Sequence, residues 1–322
     1  MKIKGKIAIV CVILVLSIAA PAFSQVGFSL DEISKTMDEF SENVAKALPF
    51  NSSMGLNWAD AYIGNFPRFG AGLSLGFTTM DDGSLTNIME YFDISLPSFV
   101  SGFSGYPVPG YTFEARLGGF GLPFDIGFKF GTLPLESINY LLVGGDVRFA
   151  ILKQNVILPA ISLGIGFNYM EGGIERSIGK DINYSYNPTD PSYYITVTKP
   201  TVNIDWSASS LDFKAQISKS FVIFTPYLGI GASTGWSKAN VDVTMKTETG
   251  PELEQLKQIF KEGIGIDLND KGFHSETEKP KNGWSFRLFG GLSFNVTVFR
   301  IELTGFYNFD KWGATLGARI QL

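Results

Sequence analysis

The chain has 322 residues, of which 26 are Lys or Arg and 31 are Asp or Glu, and its net charge of −5 speaks against a nucleic-acid ligand. It holds 36 Gly, 28 Phe, 12 Tyr and 5 Trp at a positive mean hydropathy of +0.13, an odd mixture for a water-soluble secreted domain. No stretch beyond the N-terminus approaches the ~18 consecutive apolar residues of a membrane-spanning helix, which leaves strands with one apolar face.

The first element is MKIKGKIAIVCVILVLSIAAPAFSQ. Lys2, Lys4 and Lys6 precede an apolar run from Ile7 to Ala20, and Ala22-Phe23-Ser24 carries small residues where a signal peptidase reads. Residues 1–24 therefore read as a secretory signal peptide cut before Gln25. The alternative, an uncleaved anchor, has 14 apolar residues, short of the ~20 that span a bilayer as a helix. Cys11 is the only cysteine and lacks the Leu-x-Gly/Ala-Cys context of a lipidated N-terminus, so the mature chain offers no disulfide or thiolate metal ligand. Losing Lys2, Lys4 and Lys6 leaves 23 basic residues against 31 acidic ones, a net −8. The remaining 298 residues suffice for one large all-β domain or two smaller ones.

Residues 25–68 form the next unit. SLDEISKTMDEFSENVAKAL (29–48) opens with Ser29 as N-cap and Glu32 three residues on, a capping box. Leu30, Ile33, Met37, Phe40, Val44 and Leu48 recur at spacings of three and four, the stripe of an amphipathic helix. Its other face sets Asp31, Glu32, Asp38, Glu39 and Glu42 against Lys35 and Lys46, a net −3. Two placements fit: a plug inside a barrel, or a helix on the periplasmic rim or against a second copy. The following segment, LPFNSSMGLNWADAYIGNFPRF (48–69), reads as lumenal or rim structure, because an eleventh strand over Met54 to Phe66 would break the even count usual for single-chain bacterial barrels.

From residue 69 to 322 the period is two. FGAGLSLGFTT (69–79) places Phe69, Ala71, Leu73, Leu75 and Phe77 on one face and Gly70, Gly72, Ser74, Gly76 and Thr78 on the other. GYTFEARLGG (110–119) and LPFDIGFKFG (122–131) repeat the pattern, which continues at 139–152, 159–170, 202–219, 226–245, 284–295, 296–308 and 311–322. Ten strands of about 9–11 residues or more predict an all-β fold, an antiparallel transmembrane β-barrel, with twelve strands as the alternative count.

The connections alternate in length. Short turns fall near Phe120-Gly121, Lys153-Gln154-Asn155, Phe221 to Thr225 and Asn295, and longer insertions occupy 80–110, 171–201 and 246–283. Short periplasmic turns and longer outer loops are the habit of outer-membrane barrels, and an even count leaves both barrel ends in the periplasm. Thr315, Gly317, Ile320 and Leu322 stand at polar-x-Gly-x-x-apolar-x-apolar spacing, which resembles the C-terminal signal read by the barrel-assembly machinery. That signal normally ends in Phe, and Leu322 departs from it. The remaining reading is that any closing strand has this pattern.

On stretches such as INYLLVGGDVRFAI (138–151) and KAQISKSFVIFTPYLGIGAS (214–233), the mature chain resembles bacterial outer-membrane β-barrels of a poorly characterised group. The resemblance implies a location in the outer membrane of a diderm bacterium, with its lipid and the assembly machinery as partners. It implies no catalytic residues. With an N-terminal plug the chain is similar to fatty-acid transport barrels in architecture only, since those have more strands and a different N-terminal motif.

Placing the apolar face on lipid turns Glu114, Arg116, Asp125, Lys129, Asp146, Arg148, Asp212, Lys214, Arg287, Arg300, Glu302 and Arg319 inward, five acids and seven bases. Mixed charges facing one another in a narrow barrel either pair across strands and fill it, or form a constriction that selects permeant solutes. Gly and Ser at other inward positions leave room for the second reading.

Enzymatic chemistry has little to stand on. His274 is the sole histidine, next to Ser275 in the loop 246–283, and adjacent residues rarely give nucleophile-base geometry. DLNDKG (267–272) lacks the register and closing Glu of a calcium loop. No metal, cofactor or nucleic acid is expected. PELEQLKQIF (251–260) and SLTNIMEYF (84–92) read as loop helices, and NPTDPSYYITVTKP (187–200) mixes turn formers with aromatics. The expected function is passive: a channel or transporter for a small solute, or a closed structural or surface-interaction barrel, with an outer-membrane lipid or peptide hydrolase as a third alternative.

Overall fold

The computed structural model describes residues 30–80, 106–132, 138–177, 182–185, 194–197, 201–245, 247–249, 271–276, 281–309 and 311–322. The leader 1–24, Ser29 and the stretches 84–92, 187–193 and 251–270 lie outside them.

Alternation dictates the architecture. On the strand Phe124–Thr132, Ile126, Phe128 and Phe130 face outward and exposed, while Asp125 and Lys129 on the other face are buried. This is the inverse of a water-soluble domain. A polar interior under an apolar exterior is the arrangement strands adopt when lipid is the outer solvent and every backbone group must find its partner within the sheet.

Ten strands carry this pattern: β1 (Phe69–Met80), β2 (Tyr106–Gly118), β3 (Phe124–Thr132), β4 (Ile138–Leu152), β5 (Ala160–Ser177), β8 (Thr201–Ser218), β9 (Phe224–Met245), β12 (Lys281–Val296), β13 (Phe299–Asn308) and β14 (Lys311–Gln321). Between them lie the short strands β6 (Ile182–Ser185), β7 (Tyr194–Val197), β10 (Thr247–Thr249) and β11 (Lys271–Glu276). Each of the ten pairs antiparallel with the next, and β14 pairs with β1 from Gly70↔Gln321 to Thr78↔Gly313. Closure removes both sheet edges, and the count is ten rather than twelve.

Several boundaries differ from the expected ones. β2 begins at Tyr106 instead of Gly110 because Pro107 and Pro109 are accommodated opposite Thr79 and Phe77 of β1. β5 continues past Met170 through Gly172 and Gly173, which pair with Trp206 and Asp205. The turn before β13 falls at Thr297-Val298, with Thr297 at φ 55°, two residues later than Asn295.

One end of the barrel carries the short turns 119–123, 153–159, 219–223 and 297–298, and we call it the turn end. At the opposite loop end, β5, β8 and β9 outlast the other strands at 18, 18 and 22 residues. β8 and β9 stay paired up to Thr201↔Thr244, and β11 adds to β9 from Glu276↔Asn240 to Lys271↔Met245. β6, β7 and β10 make a separate three-stranded sheet.

The N-terminal helix α1 (Leu30–Ser52) runs four residues beyond the expected Leu48, straight through Pro49. Proline removes the N–H that would bond the carbonyl of Ala45 four residues back. Ser237 of β9 supplies the missing donor, its hydroxyl bonding Ala45 O at 2.7 Å. The helix then ends at Ser53-Met54-Gly55, where Gly55 sits at φ 84°. A Cβ there would lie 2.9 Å from Thr112 Oγ1 and 3.0 Å from Glu114 Oε1, so only glycine brings the backbone this close to β2. Residues 54–66 are irregular rather than strand.

Candidate functional site: the plugged lumen

After α1 the chain descends inside the barrel alongside β8. Ser52 Oγ and Ser210 Oγ share a hydrogen bond at 2.9 Å. Below them Lys214 Nζ donates to Leu56 O at 2.9 Å, Gln216 Nε2 donates to Trp58 O at 2.7 Å and to Ala59 O at 3.1 Å, and the Ala61 N–H donates to Ser218 Oγ at 3.0 Å. Inward side chains of one strand recur every second residue, and Ser210, Lys214, Gln216 and Ser218 meet the plug in turn, while Asp212 between them turns to Arg287. The Ile63 N–H then reaches Asp125 Oδ2 at 3.1 Å, and the chain turns into β1 at Phe69.

The wall reads this segment mainly through its backbone carbonyls. Lys129 Nζ donates to Ser52 O at 2.7 Å and to Met54 O at 2.6 Å, capping carbonyls that the helix end leaves open. Arg116 Nη2 donates to Leu56 O at 3.3 Å and Arg148 Nη1 to Asp60 O at 2.7 Å. Trp58 is the anchor: its indole N–H donates to Glu114 Oε2 at 2.6 Å, and the guanidinium carbons of Arg319 and Arg116 lie 4.5 and 5.6 Å from its ring centroid. Gly70 makes room, since a Cβ on it would lie 2.9 Å from the Trp58 ring. Phe50 and Ala59 complete the contact from the apolar side, clustering with Tyr227, Phe289 and Phe306.

Buried ion pairs bind the wall together beneath these contacts. Asp125 accepts from Arg116 at 2.6 Å and from Arg148 at 2.9 and 3.0 Å. Asp146 pairs with Arg116 at 2.8 Å and with Lys214 at 2.5 Å, and Asp212 accepts both guanidinium nitrogens of Arg287 at 2.6 and 2.8 Å. Arg319 bridges Glu302 of the wall and Asp60 of the plug, the latter at 2.9 Å.

Eleven of the twelve charged residues expected to face inward are buried in this lumen. Arg300 is not among them. It is half-buried at the turn end, where its Nη1 donates to Thr297 O and Phe299 O, because it is the second residue of β13 and its long side chain folds back onto the turn.

On the acidic face of α1 the ion pairs of Glu39 and Glu42 lie within the helix. Glu39 pairs with Lys35 at 4.0 Å and Glu42 with Lys46 at 2.9 Å, and Asp38 is exposed. The side chains of Asp31 and Glu32 lie outside the described residues. What reaches the wall arginines is the carbonyl-rich stretch 52–60, with Asp60 as its one carboxylate in the network. Sequence reasoning passed over Trp58, Asp60, Gln216 and Ser237. Only Pro49, which frees a helix carbonyl, hinted that a donor must arrive from elsewhere.

In the terminal strand, Thr315 is buried and inward while Ile320 and Leu322 face outward, and the Leu322 N–H donates to Phe69 O at 2.8 Å. His274 lies on β11, opposite Asp242 of β9, rather than in an open loop. Between plug and wall remains a cavity of about 20 Å³ near Gly55, Trp58, Gly72, Glu114 and Arg319, the room of one water. At the loop end a cleft of about 510 Å³ opens among Thr132, Tyr140, Glu171, Gly172, Asp205 and Trp206.

A closed antiparallel ring of ten strands, apolar outside and charged inside, defines an outer-membrane β-barrel. The chain belongs to a family of unknown function (DUF6588), whose model matches residues 149–317. No curated protein matches it. Among solved structures it is similar to Ail, the attachment invasion locus protein of Yersinia pestis, at 9% identity over 79% of this chain and 97% of that one, with a TM-score of 0.24. The translocator domain of the autotransporter NalP from Neisseria meningitidis aligns at 9% identity over 88% and 94%, with a TM-score of 0.25. The Pseudomonas putida toluene transporter TodX aligns at 5% identity over 79% and 89%, with a TM-score of 0.24.

Proposed function

We propose that this protein is a barrel of the diderm outer membrane that is closed at rest, with its own N-terminal segment as a permanent seal, and that it serves at the cell surface rather than as an open pore. One observation carries the reading: residues 50–63 occupy the lumen, bonded to β2, β3, β4, β8 and β13, with room left beside Trp58 for about one water. A charged constriction conducts only where water is continuous past it. Here the charged groups are spent on the plug and on one another. Purified protein in a planar bilayer should therefore be electrically silent. Steady single-channel conductance of the unmodified chain would overturn the closed reading.

Transport remains the second reading, supported by the wall itself. Beside the apolar patch of Tyr227, Phe289 and Phe306, its buried inward residues include many Thr, Ser and charged side chains, which water would solvate if the plug withdrew. A transporter of this kind would admit a small solute only with the plug displaced, and liposome swelling by small sugars or amino acids would reveal it. We read no catalytic role, and unchanged lipids and peptides after incubation with the barrel would agree.

A further inference from the structure

The plug has a direction, and it is the opposite of the one that a helix on the periplasmic rim requires. Along β8 alone, Ser52 meets Ser210, Leu56 meets Lys214, Trp58 and Ala59 meet Gln216, and Ala61 meets Ser218. Rising residue number in the plug tracks rising residue number in β8, which runs from the loop end to the turn 219–223. Eight strand residues at ~3.3 Å each, tilted by about 40°, amount to roughly 20 Å of height. The chain crosses the lumen from loop end to turn end before β1 begins.

Upstream, α1 continues the other way. Ala45 is bonded by Ser237, which lies beyond Gly235, the β9 partner of Ser210, and so further from the turn end. α1 packs on β8 and β9 and touches β11, the strand added to the loop-end extension of β9. From Ala45 back to Leu30 is a further ~22 Å of helix at 1.5 Å per residue. The inner surface it follows is small: Ala208, Ser237, Ala239 and Val241 are all buried. Lys35, Asp38 and Glu39 remain exposed.

Short turns mark the periplasmic side of an outer-membrane barrel. We infer that the barrel threads its own N-terminal segment through its lumen and presents the first half of α1, around Lys35 and Glu39, at the extracellular face. Surface display of the helix is thus built into the fold, and the two ends of the segment lie on opposite sides of the membrane. The inference stands apart from closure: a conducting barrel could still display the helix, and a silent one could fail to.

The test is labelling on intact cells. In a Cys11→Ser background, Lys35→Cys and Glu39→Cys are treated with a membrane-impermeant maleimide beside Val222→Cys, whose site is fully exposed in a turn. A heat-modifiable band establishes that each variant has folded in the outer membrane. Lys35→Cys and Glu39→Cys should react on intact cells to within about twofold of their reaction after outer-membrane permeabilisation, whereas Val222→Cys should gain at least about tenfold on permeabilisation. Protection of both helix sites until permeabilisation overturns the inference. Reaction of Val222→Cys on intact cells also overturns it, by inverting the barrel.

Discussion

Arg319 lays its guanidinium 4.5 Å from the ring centroid of Trp58, while the same indole donates its N–H to Glu114 at 2.6 Å. One plug side chain thus joins β14 to β2 across the β1 seam, where the barrel closes. Trp58→Phe keeps a ring under the guanidinium and deletes the donor to a buried carboxylate, a loss of about 1.5–3 kcal/mol for a hydrogen bond to a charged group. Trp58→Ala should cost more by also removing the stacking. Urea unfolding of the refolded barrel, followed by loss of the heat-modifiable form, should rank wild type above Trp58→Phe above Trp58→Ala.

Asp125 holds Arg116, Arg148 and the Ile63 N–H at once. Asp125→Asn leaves two buried guanidinium groups short of their counter-charge, a change worth about 3–5 kcal/mol when one member of a buried pair is removed. It also weakens the hold on the lower plug. We expect a lowered urea midpoint together with brief conductance events in planar bilayers. A variant that is as stable and as silent as wild type would contradict the account of the lumen.

Reversing Glu39 and Glu42 to Lys should leave the barrel closed. Both carboxylates pair within α1 at partly exposed positions, where such pairs contribute about 0.3–0.5 kcal/mol. The seal depends on carbonyls and Asp60 below them. Bilayer recordings of the double variant should match those of wild type at low and high salt alike, since buried pairs are screened much less than exposed ones.

The seam between β1 and β14 tolerates little. A Cβ on Gly72 would lie 2.3 Å from Ala318 O and 2.4 Å from Arg319 Cβ, so Gly72→Val should prevent closure. Deleting Thr315 to Leu322 removes the partner of β1 over Gly70 to Gly76 and should do the same. Cell fractionation should find both chains degraded or periplasmic and protease-sensitive. A heat-modifiable band in the outer membrane from either would refute the role given to the seam.

The period of two was legible because each strand reports its own two solvents: Ile126, Phe128 and Phe130 meet lipid while Asp125 and Lys129 meet the interior, and no distant residue is needed to read that. The barrel class and most of the inward charges follow from it, whereas the choice of ten strands over twelve and the place of Arg300 were settled by the paired strands. The partners of those charges do not follow from it, because registers such as Glu114↔Lys129 or Asp125↔Arg148 arise only when strands pair, and the paired neighbour is often not the one bonded. Glu114 turns to Trp58 instead of Lys129, and Lys129 to the carbonyls of Ser52 and Met54. Whether the N-terminal segment lay inside or outside, and which way it ran, was equally beyond the sequence. An amphipathic stripe needs some apolar wall but does not name one, and Ser210, Lys214, Gln216 and Ser218 become a track for the plug only once β8 stands in a closed ring.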